Sequence, residues 1–447
     1  MRKATVLFLV TIFLLSGCVT EEGEAHLVFT DEIYEIVLYP PNYSMQLSYS
    51  CKVKNDGSAI ADRVEFSVNP LLKVVEANRD YESEVYEYEY YGSKVLGRAL
   101  SVNLGLKQGE ESELKLLLSG HPIEKLGEKP LIRTGVSEVD LSDLMADGSP
   151  GDENAYRAQQ KHTNQKLYLF VPENMRSIIP PVFAERAEEF EGDREAPEGY
   201  SVYNYTIKSG LFRSYVGDFI EVAEKRNNIT VRTYLPGEIR ELVPIVQDTA
   251  HKALDFYSTT FYPYPYEEYT IIAKDYEYGG GGGGKNYTEI SGGVGDFYLL
   301  VHEIAHAWFG GIIGVIDVES TPEGNIEFPE NRWIDEGGAT YCELLISREL
   351  GREDFEERFE SVMQMGAKGN ATENPYNRGA MVYWYLQSMM GEKAFFSFMR
   401  EFFERYAGQN VTTSEFLSFA RDHGIDIGKI EDLLYEDSPA EHLVGLP

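Results

Sequence analysis

The segment His302-Glu303-Ile304-Ala305-His306 constrains this chain more than any other part of it. It lies inside an apolar run, residues 298–312, that reads as a helix with one buried face. On an α-helix, residues i and i+4 share a face about 6 Å apart, so the two imidazoles can bind one ion. Glu303 then projects beside that ion, where it can take a proton from bound water. A buried structural pair of histidines has no use for the glutamate. The expectation is one Zn²⁺ per chain, held first by His302 and His306.

A catalytic zinc keeps three protein ligands and one open position, so a third donor is required. Trp333-Ile334-Asp335-Glu336-Gly337 places Glu336 near the start of a second helix, with Asp335 as the local competitor. Acidic residues are common at helix starts because the dipole favours them, so this stretch by itself leaves the donor open.

The remaining sequence frames this site. A length of 447 residues suggests two to four domains, and 43% hydrophobic with 26% charged residues is ordinary for a globular chain. With 40 Lys and Arg against 74 Asp and Glu, the formal charge is −34, which repels phosphate backbones and argues against a nucleic-acid partner. Three cysteines are too few for a disulfide scaffold, and Cys51 and Cys342 fall in different regions, so both are expected as free thiols. Arg2 and Lys3 precede an apolar run, residues 4–15, that is too short to span a bilayer. Leu15-Ser16-Gly17-Cys18 then resembles a prokaryotic lipobox. The expectation is a signal peptide over 1–17, lipidation of Cys18, a short tether over 18–24, and a chain anchored by lipid on the extracellular face of the cell membrane. Six N-x-[ST] sequons, at Asn42, Asn204, Asn228, Asn286, Asn370 and Asn410, fit export.

Residues 25–235 carry short Val-, Tyr- and Leu-rich runs bounded by turn residues, which predicts an all-β domain of saddle or sandwich type. From residue 236 the pattern changes: helical spacing over 239–261, a strand over 268–274, six glycines over 279–284, and helices over 332–350, 378–390, 392–407 and 413–422. The predicted fold class is multidomain α+β, with the second domain running from 236 to 447.

Taken together, HEIAHAWFG and WIDEGGATY resemble the HELAHQWFG and WLNEGFASY motifs of gluzincin metallopeptidases of the aminopeptidase N and leukotriene hydrolase type. FYPYPYEEYTIIA, the segment Pro375-Tyr376-Asn377-Arg378-Gly379-Ala380 and ITVRTYLPGE extend the resemblance over roughly 229–434. It implies a thermolysin-like α/β-to-α catalytic domain with a zinc site between its two lobes. His302, His306 and Glu336 would be zinc ligands, Glu303 the general base, and Tyr376 the donor to the oxyanion. The implied partner is a peptide or protein substrate.

Three departures qualify that expectation. About 18 residues separate the second histidine from the glutamate in the family, against 29 here, so residues 317–331 are read as holding an insertion at the site's rim. Glu319, Glu323 and Glu327 are minor rival ligands within it. The family's G-x-M-E-N segment, whose glutamate binds a peptide's free α-ammonium, is matched by Gly282-Gly283-Gly284-Lys285-Asn286. Gly283, Gly284, Lys285 and Asn286 are therefore taken as substrate-binding, with Lys285 where an acid is expected and Glu289 as its nearest substitute. A cation there repels an α-ammonium, which points away from strict aminopeptidase action. Finally, the stretch from Glu336 to Tyr376 is short, which opens the cleft to larger substrates. The alternative reading is a catalytically silent protein of the same fold that binds partners at the cell surface.

Overall fold

The computed structural model describes residues 25–436, apart from 91–92, 124–129, 134, 141–143, 148–160, 164, 181–182, 188–193, 209–212, 275–279, 316–318, 321–325 and 328–330. The signal peptide, Cys18 and the tether lie outside the described residues.

The first region is built from strands whose alternating burial sends one face inward. Leu27–Tyr39 pairs antiparallel with Ser44–Asn55 and parallel with Lys166–Pro172, and forms the middle of the largest sheet. Its register shifts between Thr30 and Ile33, where Asp31 has a φ of 52°. The bulge turns Glu32 into the interior, where its Oε1 accepts hydrogen bonds from Tyr34 (3.1 Å) and Tyr49 (2.8 Å). A four-stranded sheet containing Tyr81–Tyr90, Ser93–Leu106 and Ala61–Val68 covers the first, and Tyr49 meets Phe66 edge-on across the layers at 6.0 Å. The two sheets share one apolar core, as a sandwich requires.

The second region has its own core, which starts at Ile229. Its sheet contains β1 (Phe219–Arg226), β2 (Ile229–Pro236), β3 (Glu268–Lys274), β4 (Gly280–Gly283) and β5 (Tyr287–Ser291), in the order β1-β2-β3-β5-β4. Its first strand precedes the expected boundary at 235/236. The hairpin β1–β2 pairs with β3 through β2, so the second sheet begins at Phe219. Among the described residues, eight α-helices follow or interleave with it: α1 (Val243–Thr260), α2 (Phe297–Ala305), α3 (Arg332–Glu349), α4 (Phe355–Gly366), α5 (Pro375–Met390), α6 (Glu392–Tyr406), α7 (Thr413–Asp422) and α8 (Gly428–Tyr435). Sequence periodicity does not predict α4 or α8. Both are short, and in α4 only Val362 and Gly366 are buried, so the apolar signal is thin.

A small cluster of Val136, Ile178, Tyr215, Phe219 and Ile272 joins the two cores. Beside it, Arg213 meets Glu138 (3.2 Å) and Glu289 (3.0 Å), and Lys274 reaches the same two carboxylates at 3.3 Å. Two basic and two acidic side chains from both regions thus meet in a largely buried place. As expected, neither Cys51 nor Cys342 is in a disulfide; both are buried, one in each core.

Candidate metal centre and cleft

Helix α2 starts where Asp296 accepts a hydrogen bond from the Leu299 amide (3.0 Å), a side-chain cap on an otherwise orphan donor. The helix is buried along its apolar side and ends at His306, just before Gly310 turns the chain at a φ of 98°. Tyr257 and Tyr269 donate to the carbonyls of Val301 and Glu303, which fixes the helix against α1 and β3. His302 and His306 therefore present their rings to the cleft from a rigid support.

Helix α3 brings Glu336 to them. The two His Nε2 atoms lie 3.2 Å apart, and Glu336 Oε2 lies 3.3 Å from one and 3.4 Å from the other. Donors held 2.0–2.1 Å from a tetrahedral ion stand about 3.3 Å from each other. The triangle of two imidazole nitrogens and one carboxylate oxygen thus has the size and chemistry of three zinc ligands. Among the described residues, these three form the cluster able to hold a metal ion. Asp335, the local competitor, lies outside this triangle and accepts the Glu336 amide hydrogen at 2.7 Å. The side chains of Glu319, Glu323 and Glu327 are outside the described residues.

The electrostatics favour positive charge at this point. Burial alone would lower the His302 imidazolium, but the hydrogen-bonded carboxylates of Glu336 and Glu343 outweigh it and push its pKa up to about 10. Glu336 is partly buried too, which would raise its carboxyl, yet the two imidazoles hold it far below the usual range. A bound dication satisfies the same demand.

Glu303 is buried next to this triangle, and its Oε2 has no hydrogen-bond partner among the described residues. Burial raises its carboxyl above the ordinary value, against the pull of His306 and His302. A buried, unpartnered carboxylate oxygen in a metal cleft is suited to take up a proton.

Several contributors escape sequence reasoning. Glu343 Oε1 accepts from His302 Nδ1 at 2.7 Å, and Arg358 on α4 holds the other oxygen, Oε2, through Nη2 (2.6 Å) and Nε (3.1 Å). His306 Nδ1 faces the Phe309 carbonyl at 3.1 Å. Each imidazole is thus oriented from behind, as metal-bound histidines require. The available signal is spacing: Glu343 follows Glu336 by two helical turns and so shares its face. Arg332, one turn before Glu336, is visible by the same rule.

Tyr376 stands at the first turn of α5 and donates to Glu336 Oε1 at 2.8 Å. Glycine makes this approach possible. A Cβ on Gly337 would lie 2.4 Å from the Gly379 Cα, so α3 and α5 touch backbone to backbone. The EGG and RGA motifs therefore bring Tyr376 within reach of the donor triangle.

The cleft has a volume of about 840 Å³ and is lined by Gly280, Gly281, Gly282 and Gly283 on one side. Of the residues expected to bind substrate, Gly283 is one of these lining residues. Strand β4 pairs antiparallel with β5, Gly280 opposite Ser291 and Gly283 opposite Thr288, so Gly284, Lys285 and Asn286 form the turn beyond it. Lys285 is exposed in that turn, and its carbonyl accepts from Tyr264 at 3.2 Å. Glu289 does not take the place of the missing acid either. It lies behind the strand, where a Cβ on Gly282 would come within 3.2 Å of it, and it is held by Arg213 and Lys274. On the cleft side no side chain fits: a Cβ on Gly281 would lie 2.5 Å from Glu303 Oε1, and one on Gly283 2.5 Å from the Glu303 carbonyl.

Comparison with known proteins agrees with this architecture. Residues 296–433 match the profile of the Peptidase family M1 domain. The chain is 22% identical to leucine aminopeptidase 2 of Aspergillus clavatus over 279 residues, which is 54% of this chain and 43% of that protein. It is 26% identical to leukotriene A-4 hydrolase of Xenopus laevis over 250 residues, 48% of this chain and 38% of that protein. The chain thus matches about two fifths of the length of these curated relatives. The crystal structure of an M1 zinc metallopeptidase from Deinococcus radiodurans superposes with a TM-score of 0.54 at 16% identity, covering 93% of this chain and 95% of that one. A mutant of that enzyme bound to a Tyr-Ser-Ala substrate superposes at 0.53 with 16% identity, covering 92% of this chain and 95% of its own. The fold is multidomain α+β, with a β-rich first domain and a largely helical second, and it is shared with these solved M1 zinc metallopeptidase structures.

Proposed function

We propose that the chain is a zinc peptidase that hydrolyses peptide bonds, with recognition of the substrate's N-terminus altered from that of aminopeptidases. The observation that carries this reading is the donor triangle of His302, His306 and Glu336 beside the unpartnered Glu303 carboxylate. Zinc bound there supplies a Lewis acid and lowers the pKa of a water towards 7. Glu303 takes the attacking water's proton at its free carboxylate oxygen and returns it to the leaving amine. Tyr376 turns its hydroxyl from Glu336 to the oxygen of the scissile carbonyl. Glu343 and the Phe309 carbonyl keep both imidazoles in register. Strand β4 is the edge of its sheet and offers backbone groups to an extended substrate.

The glycines support a cut that does not depend on a free α-ammonium. Of the cleft's described carboxylates, Glu336 and Glu343 are held by the histidines, Asp335 by a backbone amide and Asp296 by its helix cap. Glu303 is the proposed base, and β4 bears no side chain at all. The lipobox at Leu15–Cys18 further supports a lipid-anchored enzyme on the outer face of the membrane.

The test is hydrolysis of matched peptides, with free or acetylated N-termini, by the purified zinc-loaded chain and by Glu303→Gln, read by mass spectrometry. Internal cuts in both peptides are expected. Stepwise loss of residues from the free peptides alone would return the chain to strict aminopeptidase action. Absence of any Glu303-dependent product would support the silent binding protein instead.

A further inference from the structure

We infer that Arg332 is a positioning residue that keeps Glu336 on a single metal-facing oxygen while Tyr376 leaves it for the substrate. This rests on the zinc reading above. The two oxygens of Glu336 are sharply divided. Oε2 faces both imidazoles, at 3.3 and 3.4 Å. Oε1 faces the other way and is held twice, by the Tyr376 hydroxyl at 2.8 Å and by Arg332 Nη2 at 3.1 Å. The same Nη2 donates to the Tyr376 oxygen at 3.0 Å, and the guanidinium lies 5.5 Å from the tyrosine ring centre. One charged group thus touches the ligand and the residue that must move.

The division matters because a carboxylate can bind through one oxygen or both. A catalytic zinc site needs three protein donors and an open position. If Oε1 joined Oε2 on the metal, it would take the place the substrate needs. In the resting arrangement Tyr376 and Arg332 both restrain Oε1. When Tyr376 gives its hydrogen bond to the carbonyl oxygen, Arg332 is the partner of Oε1 that remains among the described residues. A charged N–H···O⁻ contact is strong enough for that task. Arg332 sits one turn before Glu336 on α3, so a rigid helix fixes the distance between them. It does not line the cleft, so it acts through Glu336 and Tyr376 and not on the substrate.

The experiment uses the full chain purified in detergent and loaded with Zn²⁺ or Co²⁺. The variants are Arg332→Met, Arg332→Lys and Tyr376→Phe. The readouts are the visible spectrum of the Co²⁺ form, whose bands weaken as coordination number rises, Zn²⁺ affinity, and kcat and KM. Arg332→Met should weaken the Co²⁺ bands and lower kcat ~10–100-fold with KM changed little. Arg332→Lys, which keeps the cation, should restore part of both. Tyr376→Phe should lower kcat yet leave the Co²⁺ spectrum and Zn²⁺ affinity as in the unaltered chain, since Arg332 still holds Oε1. That variant decides the matter even if Arg332→Met does not fold. A Tyr376→Phe spectrum shifted to higher coordination overturns the inference, as does a folded Arg332→Met with unaltered spectrum and rate. An unaltered chain that binds neither ion overturns the zinc reading as well. Ion binding and Glu303-dependent hydrolysis with an Arg332 that changes nothing overturns this inference alone.

Discussion

At the scale of single residues, the proposed chemistry separates the groups that would hold the metal from the group that would move protons. Glu303 is outside the donor triangle, so Glu303→Gln should leave Zn²⁺ affinity within a few-fold while hydrolysis falls by at least ~10²-fold. Isothermal titration with Zn²⁺ and a peptide assay on the same preparation check both halves. Glu343 is the converse. It touches neither the cleft's donor oxygens nor the proposed proton path, but it is the acceptor behind His302. Glu343→Gln should therefore weaken Zn²⁺ binding ~10–100-fold, measured by chelator competition. The pairing of His302 and His306 beside Glu303 is legible in the sequence because it rests on spacing within one helix, whereas Glu336, on another helix, is legible only through the resemblance of its WIDEG segment. Glu343 shares the legibility of spacing in principle, being two turns beyond Glu336. Arg358 does not, since it reaches Glu343 from another helix, α4, that has little apolar periodicity to announce it.

At the scale of elements, strand β4 is the unusual part. A glycine run reads from sequence as an edge without side chains, and that much is visible. The register is not, because it is set by pairing with β5 and by the turn that joins them. Motif alignment puts Lys285 against the substrate, whereas pairing puts it in the turn and sets Gly281 and Gly283 over Glu303. Steric contrast along the strand gives a test. A Cβ on Gly283 would lie 2.5 Å from the Glu303 carbonyl and 2.9 Å from the His306 Cβ, whereas a Cβ on Gly280 would meet nothing within 4 Å. Gly283→Ala must push the strand away from α2, and a shift of about 1 Å in a catalytic cleft can cost 10²-fold. We expect kcat/KM to fall at least ~10-fold for Gly283→Ala and to stay near that of the unaltered chain for Gly280→Ala. Equal rates for the two variants would mean that β4 does not frame the substrate.

At the scale of the whole molecule, the two regions are joined through buried charge, and this is the least legible feature of all. Arg213 and Glu138 come from the first region, Lys274 and Glu289 from β3 and β5, and nothing in their local sequence marks them as neighbours. They meet because the three-stranded sheet containing Arg213–Gly217 packs where the small joining core forms. The cluster has a thermodynamic signature. Burial pushes the Glu289 carboxyl up to about 7, against the pull of Arg213. Between its ordinary value of 4.5 and about 7, the folded chain therefore binds a proton that the unfolded chain releases. Stability from this group is fully present below pH 4.5 and is lost as pH rises through about 7. A shift of that size corresponds to about 3 kcal/mol. Glu289→Gln keeps the shape and removes the titration. Urea unfolding of both proteins at pH 5 and pH 8 isolates the effect, since every other titrating group is common to the two. The fall in stability from pH 5 to pH 8 should be about 2–3 kcal/mol larger for the unaltered chain than for the glutamine variant, a little less than the full shift because the unfolded carboxyl is already largely ionised at pH 5. Equal falls would show that Glu289 is ionised in the folded state across the whole range, and that Arg213 and Lys274 outweigh its burial.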